Sequence, residues 1–585
     1  MSFPWKSMMR QGVRESHKQS RRFRIRGRND ISYLVDGLII QGTFDKGDRM
    51  SDKNKWNAQA DVIVVGFGGA GVSAAIEAAD NGADVLVIER FSGGGATKAS
   101  GGIVYAGGGT SQQREAGYED TPQNMFNYLQ MEVKGAVSDE TLMSFCEQSA
   151  GDIAWLEKEG VRFNSTVCPY KTCYPPDEYY LYFSGNESFF PYNQEATPVP
   201  RGHRPDGKGM PGYLLFGVLK KSALLRKNIA AWYRTRATRL IIDDEGKVTG
   251  LEVSSIPSYS LCYWLHRLLF WVNYKMRYVC ISMPAMNHLF SSLYSLLELR
   301  GRTRRIRARK GIILAAGGFV FNRNMIREIA PQYLPGPPLG TLGDNGSGIR
   351  IGEDAGAGTA HMERVSAWRF ITPPEAFVKG VLVDRHGERI CNEQLYGAQM
   401  GEYMVENHEG KAWLIIDSDI WKKIRNDTGW GKARWFQTMS ALGNLYFNRK
   451  KAGSIEKLAE KLRMPKDRLS DTINAYNDAA HSGRPDMMNK AAHHVQPIEK
   501  PPFYGIDCAL GNRVFPCATI TLGGLVVDEQ TSEVKKKDGL TVEGVYAVGR
   551  NAAGIPSNGY VSGLAIAHCI FSGRQAGRHA ALKEG

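Results

Sequence analysis

Asp61-Val62-Ile63-Val64-Val65-Gly66-Phe67-Gly68-Gly69-Ala70-Gly71 reads as a buried strand that runs straight into a glycine-rich turn and the start of a helix. The residues after it keep the order: Val72 to Asn81 is alanine-rich and helical, Ala83 to Ile88 is a second apolar strand, and Glu89 closes it. This is a βαβ unit with the glycine spacing of a dinucleotide fingerprint. Gly66 permits the tight turn, Gly68 lets the backbone approach a pyrophosphate, and Gly71 lets the helix lie close on the strand. Gly69 and Ala70 open the helix, whose free N–H groups and partial positive charge suit a phosphate. Glu89 lies 18 residues past Gly71, where a carboxylate accepts ribose hydroxyls, and Arg90 beside it is grouped with the cofactor-binding residues.

The next stretch separates the candidate dinucleotides. Ser92-Gly93-Gly94-Gly95-Ala96-Thr97-Lys98-Ala99-Ser100-Gly101-Gly102 is a second glycine-rich loop, followed by Tyr105 and Gly107-Gly108-Gly109. NAD has no need of such a loop directly after the ribose acid, whereas a flavin runs its pyrophosphate, ribitol and ring past several close backbone contacts. FAD is therefore the expected cofactor, with Gly95, Ala96, Thr97, Ser100, Gly101 and Gly102 among its contacts. Here the chain resembles the FAD-dependent fumarate reductase and 3-ketosteroid dehydrogenase flavoproteins, whose GGATxxSGG-like loop cradles the cofactor. The fold this implies is α/β: a Rossmann-like FAD-binding domain of the glutathione-reductase type, with an inserted α+β substrate or catalytic domain.

The 585 residues carry a net charge of +14. Residues 1–55 contribute +7 and residues 254–310 contribute +9, which leaves −2 for the remainder. The basicity belongs to two appendages, and no nucleic-acid partner is expected. The nine cysteines form no C-x-x-C pair and no metal-ligand spacing with histidine, so neither a zinc nor an iron–sulfur site is indicated, and no covalent haem motif is present. Scattered thiols fit a reducing compartment, hence a cytoplasmic location.

In chain order, residues 1–55 read as a basic, disordered leader. Ser20-Arg21-Arg22-Phe23 has the look of a twin-arginine signal but lacks the apolar stretch that one requires, and Met50 is an alternative start. Residues 56–255 read as the first part of the flavin domain. Within them Thr121-Pro122 caps a helical region to about 160, and 168–213 is loop-like. That loop carries Arg201-Gly202-His203-Arg204, read either as a solvated cluster at a domain interface or as a substrate contact. Arg239 to Val253 forms a hairpin around an acidic glycine turn. By the resemblance it leads to a strand, Arg307 to Leu314, whose trailing Ala315-Ala316-Gly317 approaches the cofactor. That strand belongs to a second part of the flavin domain, 301–345, which ends in the turn containing Asp344. Residues 346–510 read as the catalytic or substrate domain. Residues 511–585 return to the flavin fold through Val545 to Asn551, with Gly549 and Asn551 near the cofactor, and through a helix from Leu564 to Ala576 opened by Ser562-Gly563.

Residues 256–300 interrupt this pattern. They hold nine aromatic residues among many leucines, with Arg267, Lys275 and Arg277 inside and an arginine cluster behind. Pro284, Asn287, His288 and several serines make the longest uncharged run, Tyr278 to Leu297, a poor bilayer span. A pair of helices in a membrane interface is expected, with packing on the protein itself or on a second subunit as the alternative.

The resemblance covers roughly 58–255 and 302–580 and leaves the reaction to the turn before the last helix. Fumarate-reducing relatives carry an arginine there; this chain has Asn558-Gly559-Tyr560-Val561-Ser562-Gly563. This resembles the 3-ketosteroid Δ4-(5α)-dehydrogenases, whereas Δ1-dehydrogenases show tyrosine followed by A-G-P-G. By the same resemblance Tyr396, after Asn392-Glu393, reaches the active site. The implied activity is removal of two hydrogens beside the ketone of a lipophilic, steroid-like substrate, with a Δ1-type dehydrogenase or a reductase of activated double bonds as alternatives. Tyr560 would polarise the ketone or take the α-proton, Ser562 would relay it, and the flavin would accept hydride. No residue pattern designates the electron acceptor.

Overall fold

The structure, a computed structural model, describes residues 56–429 and 433–584; the basic leader, its arginine pair and Met50 lie outside the described residues. Strand β1 (Ala58–Val65), helix α1 (Gly69–Asp80) and strand β2 (Val85–Glu89) form the βαβ unit. Val62, Ile63 and Val64 are wholly buried. A strand covered on both faces has no polar side to alternate with, which is why it reads as a continuous apolar run. Helices α2 (Pro122–Val133) and α3 (Asp139–Lys158) follow. The Thr121 side chain accepts from Asn124 N–H, and Pro122 occupies the first turn, as the sequence signal requires. Next come β3 (Leu181–Tyr182), β4 (Ile229–Tyr233), and the hairpin of β5 (Thr235–Ile242) and β6 (Val248–Ser255).

The insertion is two helices, α4 (Leu261–Ser282) and α5 (Pro284–Glu298). Pro284 stands at the head of α5, so the long uncharged run is divided between the two helices. No described helix is long and apolar enough to cross a membrane. Strand β7 (Arg302–Leu314) begins five residues before the expected Arg307, because its arginine-rich first half pairs with β6. Then come β8 (Val365–Trp368), β9 (Val381–Val383), α6 (Gly397–Asn407), β10 (Trp413–Ile416) and α7 (Trp435–Tyr446). The remaining elements are β11 (Arg449–Ala452), β12 (Phe503–Asp507), β13 (Ala518–Thr521), β14 (Glu533–Lys535), β15 (Thr541–Ala547) and α8 (Leu564–Leu582).

The main sheet runs β14-β15-β7-β1-β2-β4, with β5 and β6 joined to it through β7. Its centre is parallel, and the register brings Val65 beside both Ile88 and Leu314, with Ala547 beside Leu314. Four strands therefore end on one line, and the loops that leave them share one crevice, where open α/β sheets bind ligands. A second, antiparallel sheet, β9-β10-β12-β11, is built wholly from residues 381–507, and β8 pairs with β13 in a separate two-stranded ribbon. Residues from Trp56 onward pack as one compact unit. Helix α8 lies along α1: a Cβ on Gly573 or Gly577 would come within 2.6 or 2.4 Å of the carbonyls of Ala70 and Ala74.

Candidate active site

A cavity of about 720 Å³ opens at the carboxyl ends of the parallel strands. Gly66, Gly68, Gly69 and Ala70 line it from the first loop, and Gly95, Ala96, Thr97, Ser100, Gly101 and Gly102 from the second. Ala315, Ala316, Gly317 and Asp344 close another side, and Ser562 and Gly563 stand at the N-terminus of α8. Gly71, Gly549, Asn551 and Leu564 lie behind this wall. A Cβ on Gly71 would sit 1.9 Å from the Gly66 carbonyl oxygen, and Asn551 Oδ1 accepts from Ala316 N–H at 3.1 Å.

The glycines fit a dinucleotide. Gly66 has φ +104°, and its Cβ would strike the Ala315 carbonyl at 2.5 Å. Gly68 is different: a Cβ there meets nothing nearer than 3.9 Å, and one on Gly95 lies 3.9 Å from Gly68 Cα. The two glycine loops thus face each other across open space bounded by backbone, a slot suited to a pyrophosphate. The N-terminus of α8 adds the positive end of a helix dipole, which suits the charge of a reduced flavin.

Acidic and basic partners are more occupied than the sequence suggests. Glu89 accepts from Phe67 N–H at 2.9 Å with one oxygen and from Phe91 N–H at 2.7 Å with the other, which fixes the carboxylate at the end of β2. Arg90 lines the cavity, but its Nε and Nη2 donate to Glu298 at 2.7 and 3.1 Å, tying the end of α5 to the nucleotide sheet. Asp344 holds Arg550 at 2.6 Å and accepts from Thr341 N–H at 2.8 Å.

Tyr560, Ser562 and Tyr396 all border the same cavity. Tyr560 stacks on Trp368 with ring centroids 4.9 Å apart; Trp368 meets Phe370 at 5.5 Å, and Phe370 meets Tyr396 at 5.1 Å. The Ser562 hydroxyl lies 3.2 Å from the Tyr182 hydroxyl. Burial pushes the hydroxyls of Tyr396 and Tyr560 above the ordinary tyrosine value; Tyr560 and Tyr182 raise Tyr396 further while Ser562 opposes, and Arg550 opposes the shift of Tyr560. At neutral pH these tyrosines are protonated donors. The backbone of Tyr396 is anchored from behind, its N–H donating to Asn186 Oδ1 at 2.5 Å, and Asn186 Nδ2 donates to Glu132 at 2.8 Å. Burial pushes the Glu132 carboxyl up to about 7, with Tyr128 and Asn186 opposing.

Tyr182, Trp368 and Phe370 were not legible in the sequence: Tyr182 sits on a strand of two residues and Trp368 ends a strand of four, too short for periodicity to mark. The basic cluster at 201–204 takes neither of its two expected roles. Arg201 is wholly buried and pairs with the equally buried Asp120 at 2.8 Å. Arg204, also wholly buried, donates to Asp177 at 2.5 Å and to the carbonyl of Gly207 at 2.6 Å. Both arginines brace the loop rather than face solvent or ligand.

An FAD-binding-domain family model matches residues 61–563, and the chain belongs to this family of FAD-binding flavoproteins. Its cofactor is FAD. It is 38% identical over 510 residues to a 3-oxo-5-alpha-steroid 4-dehydrogenase of Comamonas testosteroni, covering 85% of this chain and 94% of that one. Among solved structures it is similar to the 3-ketosteroid-delta4-(5alpha)-dehydrogenase of Rhodococcus jostii RHA1 in complex with 4-androstene-3,17-dione. That match has a TM-score of 0.75 and 31% identity, over 91% of this chain and 98% of the other. A cytochrome-type fumarate reductase of Shewanella frigidimarina is 26% identical over 542 residues, covering 89% of this chain and 77% of its own length.

Proposed function

We propose that this flavoprotein is a dehydrogenase of 3-ketosteroids or similar polycyclic ketones, placing a C–C double bond next to the ketone in the Δ4-(5α) manner. The observation that carries the reading is one cavity bordered by Tyr560, Tyr396 and Ser562 together with Trp368 and Phe370, with the Tyr182 hydroxyl on Ser562 behind it. A flat apolar skeleton finds aromatic surface there, and a ketone oxygen finds hydroxyl donors. Tyr560, protonated at neutral pH, suits polarising the ketone better than removing a proton, because its burial opposes the phenolate. A polarised ketone makes the α-hydrogen acidic, and Ser562, hydrogen-bonded to Tyr182, would relay the released proton to solvent water. FAD, when bound, supplies the acceptor for the hydride that leaves the β-carbon. Similarity to the Comamonas and Rhodococcus enzymes supports the same substrate class.

Peripheral membrane contact through 256–300 belongs to this proposal, since a lipophilic substrate partitions into bilayers. The test is product identification: the FAD-loaded protein, given a saturated 5α-3-ketosteroid and a redox dye as acceptor, should form the 4-ene-3-ketone with loss of two hydrogens. A 1-ene product, or reduction of fumarate in place of steroid oxidation, would overturn the reading.

A further inference from the structure

The helix pair α4–α5 has two apolar sides. Its inner side is packed: Phe91 at the end of the nucleotide loop meets Phe270 at 5.9 Å and Tyr294 at 5.0 Å, with Cys280 and Phe290 buried beside them. Phe270, Tyr274, Tyr278 and Ile281 line the cavity itself, so the pair is a lid over it. The outer side should then be polar throughout, yet it carries a run of large apolar residues. On α4 exposed apolar residues recur at helical spacing as Leu261, Trp264, Leu265, Leu268 and Trp271, beside the exposed Arg267 and Lys275, and Trp264 and Trp271 are 55% and 58% exposed. On α5 the exposed apolar residues are Leu289, Leu293 and Leu296, set among His288, Ser291, Ser292 and Ser295. A surface helix normally turns large apolar residues of this kind toward a partner.

Charge says what covers it. Of the cations in residues 254–310, Arg267, Lys275, Arg300 and Arg302 are exposed on or just behind the helix pair, and the one acidic residue there, Glu298, is buried against Arg90. Cations sit directly on the exposed rings: the Arg267 guanidinium lies 5.5 Å from the ring of Trp264, and that of Arg302 lies 5.7 Å from the ring of Tyr259. A two-fold contact through this face would set one positive patch against its own copy. An anionic bilayer surface supplies both the apolar depth and the opposite charge.

The cavity also reaches the surface next to this lid. Tyr278 of α4 stacks on Phe436 with centroids 5.9 Å apart and meets Trp435 at 5.7 Å. Trp435 and Met439 on α7 are both exposed and line the cavity. We propose that α4–α5 seats the enzyme on an anionic membrane through its leucine and tryptophan face, and that ligand passes from the bilayer into the cavity at the seam between Tyr278 and Trp435. The delivery route rests on the reading of the ligand as a lipophilic polycyclic ketone; the docking does not.

The test uses the full chain loaded with FAD, sedimented with vesicles of phosphatidylcholine alone or with a third phosphatidylserine, at physiological salt. The parent should follow the anionic vesicles and leave the neutral ones. Trp264→Ser/Leu268→Ser/Trp271→Ser should lose vesicle binding and keep its flavin spectrum. Lys275→Gln/Arg300→Gln/Arg302→Gln should lose on the order of a hundredfold in partition, at about fivefold for each cation near an anionic surface. Partition unchanged in both variants, or equal binding of the parent to neutral vesicles, would overturn the docking. So would a parent that stays off vesicles but forms a dimer that the serine variant cannot form. For the route, a 4-ene-3-ketosteroid delivered from vesicles should perturb the flavin spectrum faster in the parent than in the serine variant, and equally in both from cyclodextrin. Equal rates from vesicles would overturn the route. No perturbation from cyclodextrin would remove the ketone reading and the route with it, while sedimentation would still decide the docking.

Discussion

Two glycines of one motif, three residues apart, one capping α1 and one inside it, are expected to fail in opposite ways when enlarged. Gly68 has φ −94° and ψ −161°, a conformation open to any residue, and the space above its Cα is empty to 3.9 Å. Gly68→Val should therefore leave the flavin-free protein as stable as the parent. It would fill the slot between the two glycine loops and displace the phosphate from the backbone. Loss of one hydrogen bond to a charged group costs about 1.5–3 kcal/mol, or roughly ten- to hundredfold in Kd, before any steric clash is counted. Gly71→Ala is the reverse case. Its Cβ would lie 1.9 Å from the Gly66 carbonyl oxygen, so α1 must lift off β1, and overpacking of this kind costs about 1–3 kcal/mol of stability or more. Quenching of FAD fluorescence by titrated apoprotein gives the first quantity, and urea unfolding of the flavin-free protein gives the second. Stoichiometric FAD in purified Gly68→Val, or a flavin-free Gly68→Val that unfolds at markedly lower urea, would refute the assignment of that open space to the pyrophosphate.

Tyr560→Phe should retain FAD and bind steroid nearly as well, while flavin reduction slows by roughly 10²–10⁴, the usual range for lost acid–base assistance; Ser562→Ala should slow it less, and stopped-flow absorbance separates the two. Arg201→Met should destabilise the protein by about 3–5 kcal/mol in urea unfolding, because it strands the buried carboxylate of Asp120. Although burial works against it, Arg201 and Asn124 hold that carboxyl below its ordinary value. The pair's stabilisation is thus complete above the unfolded carboxylate value of about 4 and fades as pH falls through the lower folded one, so the parent and Arg201→Met unfolding curves should converge in acid. Glu298→Gln weakens the grip of α5 on Arg90 and should speed FAD release about three- to tenfold, measured by trapping released flavin.

The parts of this protein legible in its sequence are those whose signals are local. The βαβ unit announces itself because strand, turn, helix and ribose acid are consecutive, and the β5–β6 hairpin because Asp243 to Gly246 forms its turn. The two insertion helices were visible for the same reason. What was hidden depends on partners far apart in the chain. Nothing near Arg201 reveals Asp120, 81 residues earlier, so its burial could not be read, and Tyr182 meets Ser562 across 380 residues. Around Gly523-Gly524 the chain is split in the same way: Ala518–Thr521 pairs with β8, and Gly524–Leu525 pairs with Thr359–Ala360, because Gly523 packs against the backbone of His361. The periodicity of α4 and α5 signals helix equally well whichever apolar side faces outward, so the lid had to be seen in place.

The central claim, that this flavoprotein takes hydride from a saturated 3-ketosteroid, is tested most directly by mixing the oxidised protein anaerobically with one equivalent of a 5α-3-ketosteroid and following the visible flavin absorbance. The account predicts rapid bleaching by the saturated steroid, little by the 4-ene product, none by succinate, and a much slower bleaching in Tyr560→Phe. An unchanged flavin spectrum with every 3-ketosteroid offered, or bleaching by succinate alone, would contradict it.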